Sequence, residues 1–151
     1  MGKRALFIGF LAFLGIFIID QNIKTLFVEG FRYYTQCIDL ILTFNRGVAF
    51  SMFAFLEGNL KYIQIIMLLG VLAYVIKTKA YTYTIPVAIL LGAGFSNVYD
   101  RFIHEGVVDY VFWHCGFNFA VFNFADVMID LAVVWILIIN FKEHKKSKKS
   151  S

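Results

Sequence analysis

Seven polar residues stand inside or beside runs that otherwise read as membrane-spanning: Asp20, Asn97, Asp100, Arg101, Asp109, Asn123 and Asp126. An ionisable group near hydrocarbon costs ~2.5–3.5 kcal/mol on insertion scales, so a short chain that keeps several of them uses them. Asp109 lies in Val107-Val108-Asp109-Tyr110 and Asp126 in Phe122-Asn123-Phe124-Ala125-Asp126, both at the outer end of an apolar run and therefore at about the same depth. Two carboxyls within ~4–6 Å cannot both ionise cheaply, so they share a proton. One then acts as base on a water and the other as acid on a leaving amine. That pairing hydrolyses a peptide bond without a metal or a covalent intermediate.

The neighbours give the two acids unequal settings. Asn123 reads as a helix N-cap with Asp126 three residues on, in the first turn, where the helix dipole favours an anion by ~0.3–1 kcal/mol. Asp126 is thus expected to stay ionised more readily than Asp109. A capping box alone accounts for Asn123 and Asp126 without catalysis; Asp109 at the same depth tips the balance. Asn97 and Arg101 lie one turn apart, and Asp100 serves as an ion-pair partner or loop anchor, so this trio reads as structural support. Asp130, one turn below Asp126, is either a proton relay or a polar residue bonded to Asn97. Other schemes fare worse. His104-Glu105 starts like a zinc-protease motif, but position 108 is Val. His114 reads as packing, and nothing brings Ser51 or Ser96 to Lys24 as a nucleophile–base pair. There is no Cys/His metal spacing and no phosphate loop, so no cofactor and no metal are expected.

These residues need a membrane scaffold to hold them. The 151 residues are 60% hydrophobic with mean hydropathy +0.74, well above a soluble domain. Four runs approach the length of a span, 5–26, 60–76, 83–99 and 124–141, and imply one integral-membrane domain over 1–151. The net charge of +4 is not a nucleic-acid signal, because of where it sits. Lys3, Arg4, Lys77, Lys79, Lys142, Lys145, Lys146, Lys148 and Lys149 all fall on segments that four spans put on one face, with only Glu143 among the acids. The positive-inside rule makes that face cytoplasmic, with both termini there. The Lys-rich tail, 142–151, is expected to be disordered and to favour anionic lipid. Lys3 and Arg4 before an apolar run resemble a signal peptide, but Asp20-Gln21-Asn22 offers no cleavage pattern, so the first helix is expected to be retained. It runs past Asp20, with Lys24 one turn on as an i,i+4 partner.

The outer connections, 27–59 and 102–122, are long, which puts the working surface outside. Leu42-Thr43-Phe44 and Val48–Phe53 read as strands around a turn at Asn45-Arg46-Gly47, and Val107–Phe112 as another after His104-Glu105-Gly106. The fold expected is an all-α membrane protein: a four-transmembrane-helix bundle with a small extracytoplasmic β-strand platform and a loop or helix over the site. An extended peptide fits such a strand edge. Gly92 and Ser96 form a small-xxx-small helix seam. Cys37 and Cys115 both map to the outer side; a disulfide is open to them, but two isolated thiols in apolar surroundings are more often packing, and that reading is favoured.

Five motifs in order resemble the lipoprotein signal peptidases (signal peptidase II), the integral-membrane aspartic proteases of bacteria. Asp20-Gln21-Asn22-Ile23-Lys24 resembles the family's D-Q-x-x-K, and Asn45-Arg46-Gly47-Val48-Ala49-Phe50-Ser51 its N-x-G-x-A-F-S. Asn97-Val98-Tyr99-Asp100-Arg101 matches N-x-x-D-R, Val108-Asp109-Tyr110 matches V-D-[FY], and Phe122–Asp126 matches F-N-x-A-D. The resemblance implies that Asp109 and Asp126 are the catalytic dyad. It implies that Asp20, Lys24, Asn45, Gly47, Asn97, Asp100, Arg101 and Asn123 bind substrate or support the site. It also implies a diacylglyceryl-modified prolipoprotein as substrate, cut before its lipidated cysteine, with the lipid entering from the bilayer. The location implied is the bacterial inner membrane, with the site near the periplasmic face. One departure is Gly92-Ala93-Gly94-Phe95-Ser96, where the family has G-G-A-x-G. The rival class is a small four-span proton-coupled transporter, which would also keep membrane carboxyls; the clustering of acids below long outer loops argues against it.

Overall fold

A computed structural model describes residues 2–47 and 57–149. Four helices follow the four apolar runs: α1 (Gly2–Val28), α2 (Glu57–Thr78), α3 (Thr84–Ile103) and α4 (Phe124–Lys149). Two strands lie between them, β1 (Ile38–Asn45) and β2 (Val107–Trp113). The expected helical bundle with a small sheet is present. α1 and α2 extend past both expected ends, and α3 and α4 past their C-terminal ends. α4 also carries the Lys-rich tail as helix to Lys149, where disorder was expected. Lys and Glu are good helix formers, and nothing between 142 and 149 breaks the turn.

Among the described residues three helical segments, Gly2–Val28, Gly58–Thr78 and Phe124–Lys146, are long and apolar enough to cross a membrane. α3 is not among them, although it was expected to span over 83–99. Asn97, Asp100 and Arg101 dilute its apolar content. They can do so because α3 is the central element, packed against α1, α2 and α4. Most of one face, from Val87 to Arg101, is buried by its neighbours. The outer helices instead expose large apolar side chains, Ile66, Met67 and Phe141 among them. The burial pattern is therefore inverted: the largest fully buried side chains include Lys24, Asn123, Asp20, Asp100 and Asp109. A separate apolar cluster of Leu68, Val87, Leu91 and Val98 binds the bundle together.

β1 and β2 pair antiparallel, from Ile38 opposite Trp113 to Asn45 opposite Val107. One extra β1 residue between Leu40 and Thr43 shifts the register, so Thr43 sits opposite Asp109. Among the described residues β1 pairs with β2; the expected hairpin between 42–44 and 48–53 falls on the segment 48–53, which lies outside the described residues. The pairing also corrects the reading of the cysteines. Because β1 pairs with β2, Cys37 and Cys115 meet at the far end of the ladder and form a disulfide, with Cα atoms 4.5 Å apart. Closing a loop of sequence separation 78 restrains the unfolded chain by roughly 4 kcal/mol in the chain-entropy account.

The Gly92–Ser96 seam is present. A Cβ on Gly92 would stand 2.6 Å from the carbonyl oxygen of Phe13, on the backbone of α1. Helix backbone cannot yield there as a flexible side chain would. Gly92→Ala should therefore destabilise the bundle by roughly 1–3 kcal/mol, as overpacking does elsewhere, and lower its thermal midpoint in detergent. A midpoint equal to the parent's would show that α1 and α3 do not press together at this level.

Candidate active site

The site forms where the ends of α1 and α3, the start of α4 and the two strands converge. Its base is a buried ion cluster. Lys24, 2% exposed, places Nζ 2.6 Å from Asp20 Oδ2 and 2.7 Å from Asp100 Oδ2, and donates to Asn97 Oδ1 at 2.7 Å. Its three N–H donors are matched to three acceptors. A buried cation is tolerable only when paired and hydrogen-bonded in this way. Asp20 also accepts from Ser96 Oγ at 2.6 Å, and Asp100 from the Val108 backbone N–H at 3.1 Å. Gln21 Nε2 lies within bonding distance of Ser96 Oγ and Asp100 Oδ1, both at 2.8 Å.

α4 begins inside this cluster, and the N–H groups that start a helix without intrahelical partners are all accounted for. Phe124 N–H donates to Tyr110 Oη at 2.9 Å, Ala125 N–H to Asp20 Oδ1 at 3.0 Å and Asp126 N–H to Asn123 Oδ1 at 2.8 Å. Asn123 N–H returns a bond to Asp126 Oδ2 at 3.1 Å. The expected capping box is thus formed. Tyr110, stacked on Phe27 at 4.2 Å, is held by burial with its phenol well above the usual range.

The Asn123 amide goes further than capping. Its Nδ2 donates to Asp109 Oδ1 at 2.7 Å and reaches Asn97 Oδ1 at 3.1 Å. Asn97 Nδ2 in turn donates to Asp126 Oδ1 at 3.0 Å. Both acids therefore hang on one pair of asparagines, and both line a cavity of about 510 Å³. Asn45 reaches over from β1 and donates to Asp109 Oδ2 at 3.0 Å, while its own Oδ1 accepts from Gly47 N–H at 3.1 Å. Arg101 donates to the carbonyls of Gly47 and Arg46. It ties the chain leaving β1 to the end of α3. Burial first, then the charge of Asp126, raises the Asp109 carboxyl to about 7, against the hydrogen bonds from Asn45 and Asn123 and the charge of Lys24.

The ten residues singled out from sequence thus form one connected network. Asp109, Asp126, Asn45, Asn97 and Arg101 line the cavity. Asp20, Lys24, Asp100 and Asn123 stand behind them, and Gly47 receives Arg101. The trio at the end of α3 is more than a loop anchor, because Asn97 bonds Asp126 directly. Asp130 lines the same cavity but is not bonded to Asn97, whose partners are Lys24, Asn123 and Asp126. Gln21 and Ser96 were missed as polar partners; Gln21 lies inside the first motif, and Ser96 was read only for its size. His114 packs 5.4 Å from Phe112 with Nε2 3.3 Å from Asp39, and His104 tilts over Phe44; neither lines the cavity. Among the described residues no three of His, Cys, Asp and Glu are grouped as metal ligands.

Comparison with known proteins decides the family. The family model described as signal peptidase (SPase) II matches residues 12–142. The chain belongs to the signal peptidase II family. A lipoprotein signal peptidase of Sulfurimonas denitrificans is 66% identical over 92% of this chain and 91% of its own length. One from Wolinella succinogenes is 54% identical over 95% and 99%. One from Helicobacter pylori is 48% identical over 97% and 95%. Two bacterial membrane enzymes solved by the in meso method share the fold, with TM-scores of 0.78 and 0.76 at 22% identity. The first covers 91% of this chain and 90% of its own. Family membership makes the chain a protease, and the transporter alternative falls.

The network sets the cost of disturbing it. Lys24→Met leaves the Asp20 and Asp100 carboxylates buried without their cation. Removing one partner of a buried pair costs ~3–5 kcal/mol, so this variant should unfold in detergent well below the parent. A midpoint within a degree or two of the parent's would mean that the cluster is solvated and not the base of the site.

Proposed function

We propose that this chain is an aspartic endopeptidase of the bacterial inner membrane. It removes signal peptides from diacylglyceryl-modified prolipoproteins by cleaving before the lipidated cysteine. The carrying observation is that one capping residue, Asn123, bonds both carboxyls, Asp109 through its amide and Asp126 through its backbone N–H. Family membership and relatives named lipoprotein signal peptidase support the substrate class. α3 crosses the membrane with the other three helices, shielded by them. The charge asymmetry of the ends and of Lys77 and Lys79 supports cytoplasmic termini, which puts the sheet and the cavity at the periplasmic face.

In this reading the dyad holds one proton. Asp126, at a helix N-terminus, carries the charge, and Asp109 keeps the proton. Asp126 takes a proton from water as its oxygen attacks the scissile carbonyl carbon, while Asp109 donates to the carbonyl oxygen. The resulting gem-diol collapses, the C–N bond breaks, and the amine leaves with a proton from Asp126. Asp109 regains its proton from the collapsing diol. Asn45, Asn97 and Asn123 donate to the carboxylate oxygens and fix their planes. The supporting residues Asp20, Lys24, Asp100, Arg101 and Gly47 hold those donors in place. Membrane lipid delivers the substrate's acyl chains sideways to a site at headgroup depth.

Asp109→Asn or Asp126→Asn should each lower kcat for a diacylated prolipoprotein by roughly 10²–10⁴, the range for a general acid or base. Cleavage at the parent's rate by either variant would defeat the dyad. The pH profile gives a second check. The Asp109 carboxyl titrates at about 7. Below that pH the acid keeps its proton; above it both carboxyls are charged. kcat/KM should therefore fall as pH rises through about 7, approaching tenfold per unit, and a profile flat from pH 6 to about 9 would remove Asp109 as the acid.

A further inference from the structure

The cavity reaches beyond the dyad, toward the middle of the membrane. Two polar residues line that part and take no place in the network described above: Gln64 on α2 and Asp130 on α4. Gln64 is seven residues into its helix and Asp130 six into its own, about 9–11 Å from each helix start at 1.5 Å per residue. Asp130 lies one turn from Asp126 and so on the same face of α4. Gln64 Oε1 is shut off from solvent and accepts no hydrogen bond. Asp130 is exposed to the cavity within an apolar run and is paired with no described residue. Unpaired acceptors at this depth are costly, and neither is needed to hold the helices together.

We propose that Gln64 and Asp130 form an acceptor subsite for backbone N–H groups of the signal peptide. The inference rests on the proteolytic reading above. A peptide bond must be drawn out of helix to reach two carboxyls, and each turn that opens frees N–H donors. In hydrocarbon no water can take them, and irregular backbone is tolerated only where protein supplies partners. A carboxyl and an amide oxygen just inside the dyad do so on the signal-peptide side of the cut. They read no side chain, which suits signal peptides of varied sequence.

The test uses the purified full chain and synthetic diacylated prolipoprotein peptides. In one series, each backbone N–H just upstream of the scissile bond is replaced in turn by an ester oxygen. At one or two positions the ester should lower the parent's kcat/KM roughly tenfold, the worth of one good hydrogen bond. Asp130→Leu or Gln64→Leu should show that loss on the all-amide peptide and little further loss on the ester. Asp130→Asn keeps an acceptor and should retain most of the parent's activity; it also carries the comparison if the Leu variant does not fold. Additive losses at every position would overturn the subsite, as would Leu variants that match the parent. Loss in Asp130→Asn equal to that in Asp130→Leu, at all ester positions alike, would instead indicate proton relay and also overturn it. Failure of the dyad is read separately, from Asp109→Asn on the all-amide peptide.

Discussion

The Lys24 ammonium is the fixed point of this fold. Three acceptors from two helices close on it: Asp20 from its own helix, and Asn97 and Asp100 from α3. Nothing apolar could replace this contact without stranding the partners. Asp20 goes on to hold the first turn of α4 through Ala125, and Asp100 holds the start of β2 through Val108. Asn97 goes on to Asp126. Every element that bears a dyad residue is therefore tied to the same cation within two steps. A soluble core locates its parts by apolar shape. Here the outer helix faces meet lipid, which gives no hydrophobic drive between helices. Location falls to hydrogen bonds and ion pairs.

Those bonds have one consequence for chemistry. The amides that bond the carboxyls are themselves fully engaged: Asn97 and Asn123 each accept and donate within the cluster. Neither can rotate without breaking two or more bonds at once. The carboxyl planes are thus set by the scaffold before any substrate arrives, which is the preorganisation electrostatic catalysis requires. The capping box and the candidate dyad are not competing accounts of Asn123 and Asp126. The helix start is what holds one acid still, and the same residue's amide holds the other.

Sequence made the polar set legible because the membrane penalises it. Asp20, Lys24, Asn97, Asp109 and Asp126 stand out against apolar runs, and depth alone groups them. The helices were equally open to reading, since length and hydropathy suffice. What depth cannot give is pairing. β1 joins β2 from a distant part of the chain, and nothing local around Asn45-Arg46-Gly47 points to that partner. With that register unknown, a shared outer side left the disulfide between Cys37 and Cys115 open but undecided. Ser96 illustrates a second limit. On a helix seam a serine and a glycine look alike, and only the approach of Asp20 gives the hydroxyl its role. The third helix was legible as an apolar run, but its buried position lets it carry polar residues and fall short of the apolar length of the others.

The location of the cavity follows from the same asymmetry. Below the sheet the bundle presents apolar surface outward, while the strands and their disulfide-closed end carry polar groups such as the exposed Thr35 and the half-buried Asp39. Between the two zones, side chains of both kinds line one space: Asp109 and Arg101 beside Phe119, Phe122 and Val127. The hydrolytic site proposed for a lipid-borne peptide needs both. Water must reach the carboxyls from one side, and an acyl-linked chain must leave hydrocarbon from the other. In that proposal a dyad deeper in the bundle would lack water, and carboxyls clear of the bundle would lose the burial that raises Asp109. The junction between sheet and bundle is the level at which the two requirements overlap.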